Sequence, residues 1–517
     1  MKKKDSPFKL NPVIFWPVVI LMVAILAISF INQEWFASIV SGALNAEVIN
    51  LKWCVGPIIL FLLLTMIVLV ISPVGKIKIG GKDAEAKFSN FSYWGLCICS
   101  TIAIGIVFWG VAYPMTYYMD PWIGWDVEAA TPAAAVKAIA QTNMEWAWGQ
   151  YTLYGIFAIA MAVAIFNHGQ PMKTSSFLYL LRGKPAGKAA NVIVDIICLF
   201  GIIAGVTCSL GTGTMQMSAG LGSIFGLEVS KLVWFFVELC VVAGFLLMSV
   251  GGIAKGIKIV TDQNLRLYYI IMILMVIIGP TLYIFDMFFE SNGYMLNNLV
   301  QDITYTGGIN GDDKPIFWMI WLYVSAAAFA PIVGLFIAKV SYGRTIKEMV
   351  VGNLVMPSLV TSGWFTIFGA TAFQWQNTGE LDIWGKMNDL GVEAAMWEFF
   401  EHLPLGKVWQ IVFFITILLS FVTLASSATT SASFTAMTTT REIGEEEEPP
   451  MWMKMIWGVI MAVSAYVFIS FAGIDGAKSM ALIGGIPSLL LDAVAAYCMW
   501  RIIAGKFKVD ESPRLKN

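Results

Sequence analysis

Charge is what this sequence has least of. Of its 517 residues only 13% are Asp, Glu, Lys or Arg, against roughly 25% in a soluble domain. A chain so short of charge cannot coat a water-facing surface of its own size, which excludes a soluble multidomain enzyme. Neither sign is in excess: 32 Lys and Arg stand against 34 Asp and Glu. The basic field that nucleic-acid binding needs is therefore missing. Histidine is scarcer still, with His168 and His402 far apart in the chain. The seven cysteines, Cys54, Cys97, Cys99, Cys198, Cys208, Cys240 and Cys498, all sit in apolar runs and form no CxxC pair. They read as buried packing thiols, with no metal site, no disulfide and no cofactor expected. No His/Ser/Asp set and no metal-ligand cluster converges, which argues against an enzyme.

In place of charge the chain carries apolar runs: 58% of it is hydrophobic and the mean hydropathy is +0.75. Walking it with a spanning length of about 20 residues gives about twelve segments, starting near Asn11, Trp53, Trp94, Trp146, Val192, Lys231, Arg266, Ile316, Val351, Lys407, Trp452 and Met480. An all-α membrane protein with twelve transmembrane helices is expected. The run Val13 to Ile31 follows Met1-Lys-Lys-Lys like a signal peptide, but it lacks a small-residue cleavage site and is long enough to span. It is read as the first helix.

Basic residues set the orientation, because loops rich in Lys and Arg resist translocation. Lys76, Lys78, Lys82, Lys87, Lys173, Arg182, Lys184, Lys188, Lys255, Lys258, Arg344, Lys347, Arg441 and Lys506 all fall on the side of Lys2, Lys3 and Lys4. Counting about 24 basic residues there against about 7 opposite places both termini in the cytoplasm. The opposite loops are acidic, as in Asp312-Asp313 and Glu380 to Glu401.

The third and eighth spans are interrupted by Gly and Pro, in Gly105 to Pro114 and in Pro331 to Gly334. Inverted-repeat transporters break equivalent helices in this way near the membrane midplane, although Gly and Pro are also common in membrane helices generally. Aromatics are abundant, at 14% with 20 Trp. In Trp146-Ala-Trp148-Gly-Gln-Tyr151-Thr-Leu-Tyr154, the rings of Trp146, Tyr151 and Tyr154 recur at about one and two helical turns. Such a stripe forms either a cage that holds a quaternary ammonium by cation–π attraction or ordinary core packing.

With these motifs the sequence resembles the betaine/choline/carnitine transporters over nearly its whole length. The resemblance rests on Ile104-Gly-Ile-Val-Phe-Trp-Gly-Val-Ala112, Ser209-Leu-Gly-Thr-Gly213, Gly279-Pro-Thr281, Phe336-Ile-Ala-Lys-Val-Ser-Tyr-Gly-Arg344 and Trp364-Phe-Thr-Ile-Phe-Gly-Ala-Thr-Ala372, in the family's order. It implies a LeuT-type fold of inverted five-helix repeats preceded by two extra N-terminal helices. The corresponding boundaries are 1–90 for the N-terminus and extra helices, 91–292 for the first repeat and 293–315 for an extracellular connection. The second repeat follows at 316–505, with a short cytoplasmic C-terminus at 506–517. It also implies a homotrimer in the inner membrane and a small substrate with a trimethylammonium-like head.

By the same resemblance Trp146, Tyr151 and Tyr154 occupy the fourth-span part of an aromatic cage, and Tyr117 is a further candidate. The eighth span departs from the family: where tryptophans cluster before the proline, this chain has Tyr323, Ser325, Ala326 and Phe329, with Trp318 and Trp321 displaced upstream. Trp321, Tyr323 and Phe329 are its candidate contacts. Replacing indole by Ala widens the site and weakens cation binding on that side.

Coupling is read from Arg266, in Asp262-Gln-Asn-Leu-Arg266 about a turn inside the seventh span, where a charge costs roughly 2.5–3.5 kcal/mol. A guanidinium there replaces a sodium ion in the carnitine/γ-butyrobetaine antiporter branch; the plainer reading is that it snorkels to the surface. In the tenth span Ser427 and Ala428 fall on the family's sodium-ligand pair, leaving one hydroxyl. In the third span Ala103 and Ile104 reduce the glycine content in the same direction. The chain thus resembles a sodium-independent substrate/product antiporter of betaine- or carnitine-type compounds. The alternatives are a sodium- or proton-coupled symporter of glycine betaine or choline for osmoprotection, and a non-transporting sensor or channel on the same fold. About a dozen residues follow the last span, so no turgor-sensing tail is expected.

Overall fold

The computed structural model describes residues 7–101, 104–250, 254–309, 311–312, 314–439 and 448–512. Lys2 to Lys4, Ala103, Asp313 and Arg441 lie outside the described residues. In lipid every backbone polar group needs a partner within its own segment, so apolar runs of this length fold as helices. The first are α1 (Pro12–Ile31) and α2 (Gln33–Ile71), followed by α3 (Asn90–Thr101) and α4 (Ile104–Met119). Next, α5 (Pro132–Asn143) and α6 (Gln150–Ala162) are joined by a π-helical stretch, Met144–Gly149. Thr131 caps α5 at the backbone N–H of Ala134, with Pro132 in the first turn.

A short α7 (Tyr179–Arg182) precedes α8 (Lys188–Phe225), which Gly226 ends in the left-handed region at φ 70°. Then come α9 (Lys231–Val250), α10 (Ala254–Ile278) and α11 (Thr281–Ile303). The chain turns 111° between α10 and α11 at Gly279-Pro280. The second half holds α12 (Lys314–Val340), α13 (Ile346–Val350), α14 (Met356–Thr378), α15 (Ile383–Leu390), α16 (Ala395–His402), α17 (Gly406–Ala436) and α18 (Met451–Ile503). The segment expected as a connection at 293–315 is helical as far as Ile303. There Ile284, Met287, Ser291 and Met295 repeat at helical spacing and bury one face.

The protein is an all-α membrane protein. Among the described residues eight helical segments are long and apolar enough to cross a bilayer, and the bent α10–α11 pair makes a ninth. This count is of the described residues alone, and two of the twelve spans expected run together in α18. α18 joins two helices over 53 residues across Gly473, whose φ of 58° and ψ of −146° are reachable only without a Cβ.

Contacts group the loops at two ends. At one end the strand β1 (Phe8–Leu10) pairs antiparallel with β2 (Met437–Thr439). The Asn167 amide donates to the carbonyls of Lys78 and Asp510 at the same end. Arg344 is buried there, donating to Asn90 and the Phe88 carbonyl with its guanidinium 4.9 Å from the Tyr93 ring. At the other end the Ile123 amide donates to Asp312 at 2.7 Å, and the Trp397 indole to the Gln216 carbonyl at 2.8 Å. The basic loops Lys76 to Lys82 and Arg344 to Lys347 share the first end with β1, and acidic Asp312 lies at the second.

Small residues let the central helices touch. A Cβ on Gly485 of α18 would sit 1.8 Å from the Val324 carbonyl oxygen of α12. We expect Gly485→Ala to cost about 1–3 kcal/mol by overpacking, read as a lower midpoint in detergent thermal melting. Gly293→Ala, with nothing within 4 Å of its Cβ in α11, should be neutral or stabilise by up to about 1 kcal/mol. Equal effects of the two would remove the α12–α18 contact from the fold's constraints.

Candidate functional site

The π-helical stretch Met144–Gly149 carries the residues that matter most. A π turn inside an α-helix shifts the phase of the next turns, and such turns concentrate at functional sites. Here Trp146 meets Phe365 of α14 at 5.6 Å between ring centroids, while the Tyr151 hydroxyl lies 2.6 Å from that of Thr361, one turn earlier on the same helix. Tyr154 comes next, with its ring 6.1 Å from Tyr151. Trp146 and Tyr151 thus both meet α14, and Tyr154 joins them through the Tyr151 ring.

Trp146 also belongs to a second group that spacing within one span does not reveal. Its ring stands edge-to-face with Tyr113 of α4 at 5.4 Å and with Trp321 of α12 at 6.3 Å. Trp109 packs edge-to-face on Trp318 at 5.2 Å and Trp321 at 5.4 Å, and Tyr113 on Trp318 at 5.6 Å. Such T-shaped pairs place the positive edge of one ring on the negative face of the next. A Cβ on Gly105 would lie 3.0 Å from the Trp146 ring, and one on Gly149 would lie 2.3 Å from Tyr323. These two glycines let large rings lie on backbone.

Under the rings sits a buried acid. Glu145 has no exposed surface and accepts from the Tyr113 and Tyr117 hydroxyls, the latter at 2.9 Å, and from the Gln141 amide. Three donors are enough to satisfy its carboxyl without water, and they fix it beside Trp146. Tyr117 therefore reaches the cluster through Glu145 as well as through its 5.5 Å contact with Tyr113. Among the described residues the indole N–H groups of Trp146 and Trp321, the Tyr323 hydroxyl and the Ser325 hydroxyl are buried without a hydrogen-bond partner. Buried donors of this kind normally serve something.

The remaining predicted residues are not gathered here. Phe329 turns toward α8, packing on Gly205, where a Cβ would meet its ring at 2.9 Å. Arg266 is exposed on α10. Its neighbours Asn264 and Tyr268 face the bundle instead, each 2.7 Å from the Ser420 hydroxyl of α17. Ser427 is exposed and donates to its own Leu424 carbonyl at 3.0 Å, whereas Ala428 is buried. Two charged residues that the sequence alone did not single out do reach the site: Glu145, and Lys478 of α18, whose ammonium lies 4.3 Å from the Trp318 ring centroid. Both carry the same signal that marks Arg266, an ionisable side chain inside an apolar span.

A ring cluster of this kind attracts a cation through its faces and asks for no hydrogen bond from it, while the free indole and hydroxyl donors suit an anionic group. The model of the BCCT, betaine/carnitine/choline family transporters matches residues 13–508. The chain is 28% identical to the glycine betaine transporter OpuD of Bacillus subtilis, over 97% of this chain and 98% of that one. An uncharacterised transporter of Haemophilus influenzae is 30% identical over 98% of this chain and 74% of its own. Glycine betaine transporter 1 of Vibrio parahaemolyticus is 29% identical over 80% and 77% respectively. With a match that runs from the first helix to the end of the last, the chain belongs to the betaine/carnitine/choline family of transporters, and it is a secondary transporter and not an enzyme.

Proposed function

We propose that this protein carries small zwitterions with a quaternary ammonium head, of the glycine betaine class, and exchanges them without sodium. The single observation that carries the substrate class is the ring group of buried Trp109, Tyr113, Trp146 and Trp321 with half-buried Trp318. A trimethylammonium group has no N–H to donate and spreads its charge over methyl hydrogens, so ring faces bind it better than carbonyls do. The free N–H groups of Trp146 and Trp321 suit its carboxylate. Relatives named as glycine betaine transporters support the same class.

Sodium independence rests on α17. A hard cation needs several oxygens to replace its water, yet Ala428 faces inward and Ser427 turns away. In this reading Arg266 does not stand in for the ion, because it lies on the opposite side of α10 from Asn264 and Tyr268. A sodium- or proton-coupled symporter of glycine betaine or choline is the second reading; the names of the relatives agree with its substrate and do not speak to coupling. The resemblance further implies twelve spans in two inverted repeats, a trimer, and an inner-membrane location with both termini cytoplasmic; the shared end of the basic loops and β1 supports that orientation.

Counterflow into proteoliposomes tests both parts. Uptake of labelled glycine betaine should require an internal betaine and ignore sodium; uptake into empty vesicles that follows a sodium gradient would establish the symporter. Trp146→Ala should weaken glycine betaine binding by about 1 kcal/mol or more, measured by titrating tryptophan fluorescence, and unchanged affinity would take this ring out of the site. Arg266→Ala should leave exchange within about two-fold, as surface substitutions usually do. Abolished exchange, or new sodium dependence, would return the guanidinium to the coupling mechanism.

A further inference from the structure

Lys478 lies one turn into the second half of α18, past the break at Gly473. Gly485 meets Val324 two turns further along, so α12 and this half of α18 run in the same direction and Lys478 comes level with Trp318 and Trp321. Its side chain is buried. The ammonium lies 4.3 Å from the Trp318 centroid, 5.5 Å from Trp109, 5.6 Å from Phe317 and 5.7 Å from Trp321. Within about 6 Å of a ring centroid a cation is attracted to the face. Its carboxylate partner, Asp475, is 3.7 Å away and 55% exposed. Glu393, at the start of the segment leading into α16, lies within electrostatic range on the same side.

Three of these rings, Trp109, Trp318 and Trp321, belong to the cluster assigned above to the substrate's ammonium. One set of faces does not hold two cations at once. We propose that Lys478 is a tethered occupant of the cation site: its ammonium fills the aromatic group when no substrate is bound, withdraws from the rings while keeping Asp475 as its partner when a trimethylammonium head enters, and returns on release. This rests on the transport reading and names the group with which the substrate competes. No bond is made or broken, and the exposed Asp475 provides a place for the displaced charge.

Competition with a tethered group lowers apparent affinity by the fraction of time the site is free. With the free state at about 10% or less, as minor states usually are, Lys478→Met should bind tetramethylammonium at least about ten-fold more tightly than the parent protein. Titration of tryptophan fluorescence in detergent reads this. Equal or weaker binding by a variant that melts normally would overturn the proposal and leave the transport reading intact.

A second measurement needs no variant. Reductive methylation of the parent protein, followed by peptide mass spectrometry, should modify Lys478 several-fold faster with saturating tetramethylammonium than without it. A rate unchanged or slowed by the ligand would overturn the displacement. If neither protein binds tetramethylammonium, glycine betaine or carnitine, the transport reading itself fails, and this inference with it.

Discussion

A cation held against aromatic faces where water is excluded is the interaction on which the arrangement of this bundle depends. In water the attraction of one ring for an ammonium is worth about 0.5–1 kcal/mol, and it rises to about 2 or more when both are desolvated. A charge buried within an apolar span is costly without partners. Lys478 has four rings around it and Asp475 at 3.7 Å. The rings must therefore converge from separate helices, and the backbone has to make room for them. Gly105 on α4 and Gly149 at the end of the π turn do so for Trp146 and Tyr323, and Gly485 brings α18 close to α12.

Much of this is legible in the sequence, and the parts that are not share a cause. Apolar length marks the helices, and local motifs mark the family. The stripe Trp146, Tyr151 and Tyr154 is visible because its residues lie on one segment. Trp109 and Trp318 are visible as tryptophans but not as partners, since nothing local says that α4 and α12 cross there. Arg266 draws notice for its charge alone. Helical phase places it: Asn264 and Tyr268 are four apart and share a face, so the residue midway between them points the other way. The same arithmetic turns Ser427 outward, because Ala425, Ala428 and Thr429 together mark the buried face.

Glu145 and Lys478 escape a local reading although they meet the criterion applied to Arg266. Each stands alone in its apolar run, without an opposite charge a turn away that would explain it locally, apart from Asp475. Their partners are phenols and indoles on other helices, together with the Gln141 amide one turn before Glu145. Polar aromatic groups do not advertise themselves as counter-ions in a sequence, yet in a medium without water they serve as such. The two helices that meet at Gly473 are by contrast legible locally, as separate apolar runs from Trp452 and Met480.

The placement of these two charges bears on how such a carrier moves. Glu145 is held by three donors below the Trp146 ring, and Lys478 stands across the same cluster, in the second half of α18. A carrier that closes over an empty aromatic site leaves ring faces and a buried carboxyl without the positive charge that suits them, which penalises the closed state. When one cation replaces another at the same place, the field on Glu145 and on the rings stays nearly constant. The balance between the two cations is set by how readily the lysine withdraws, and a ligand shifts it only by its differential affinity for the two arrangements.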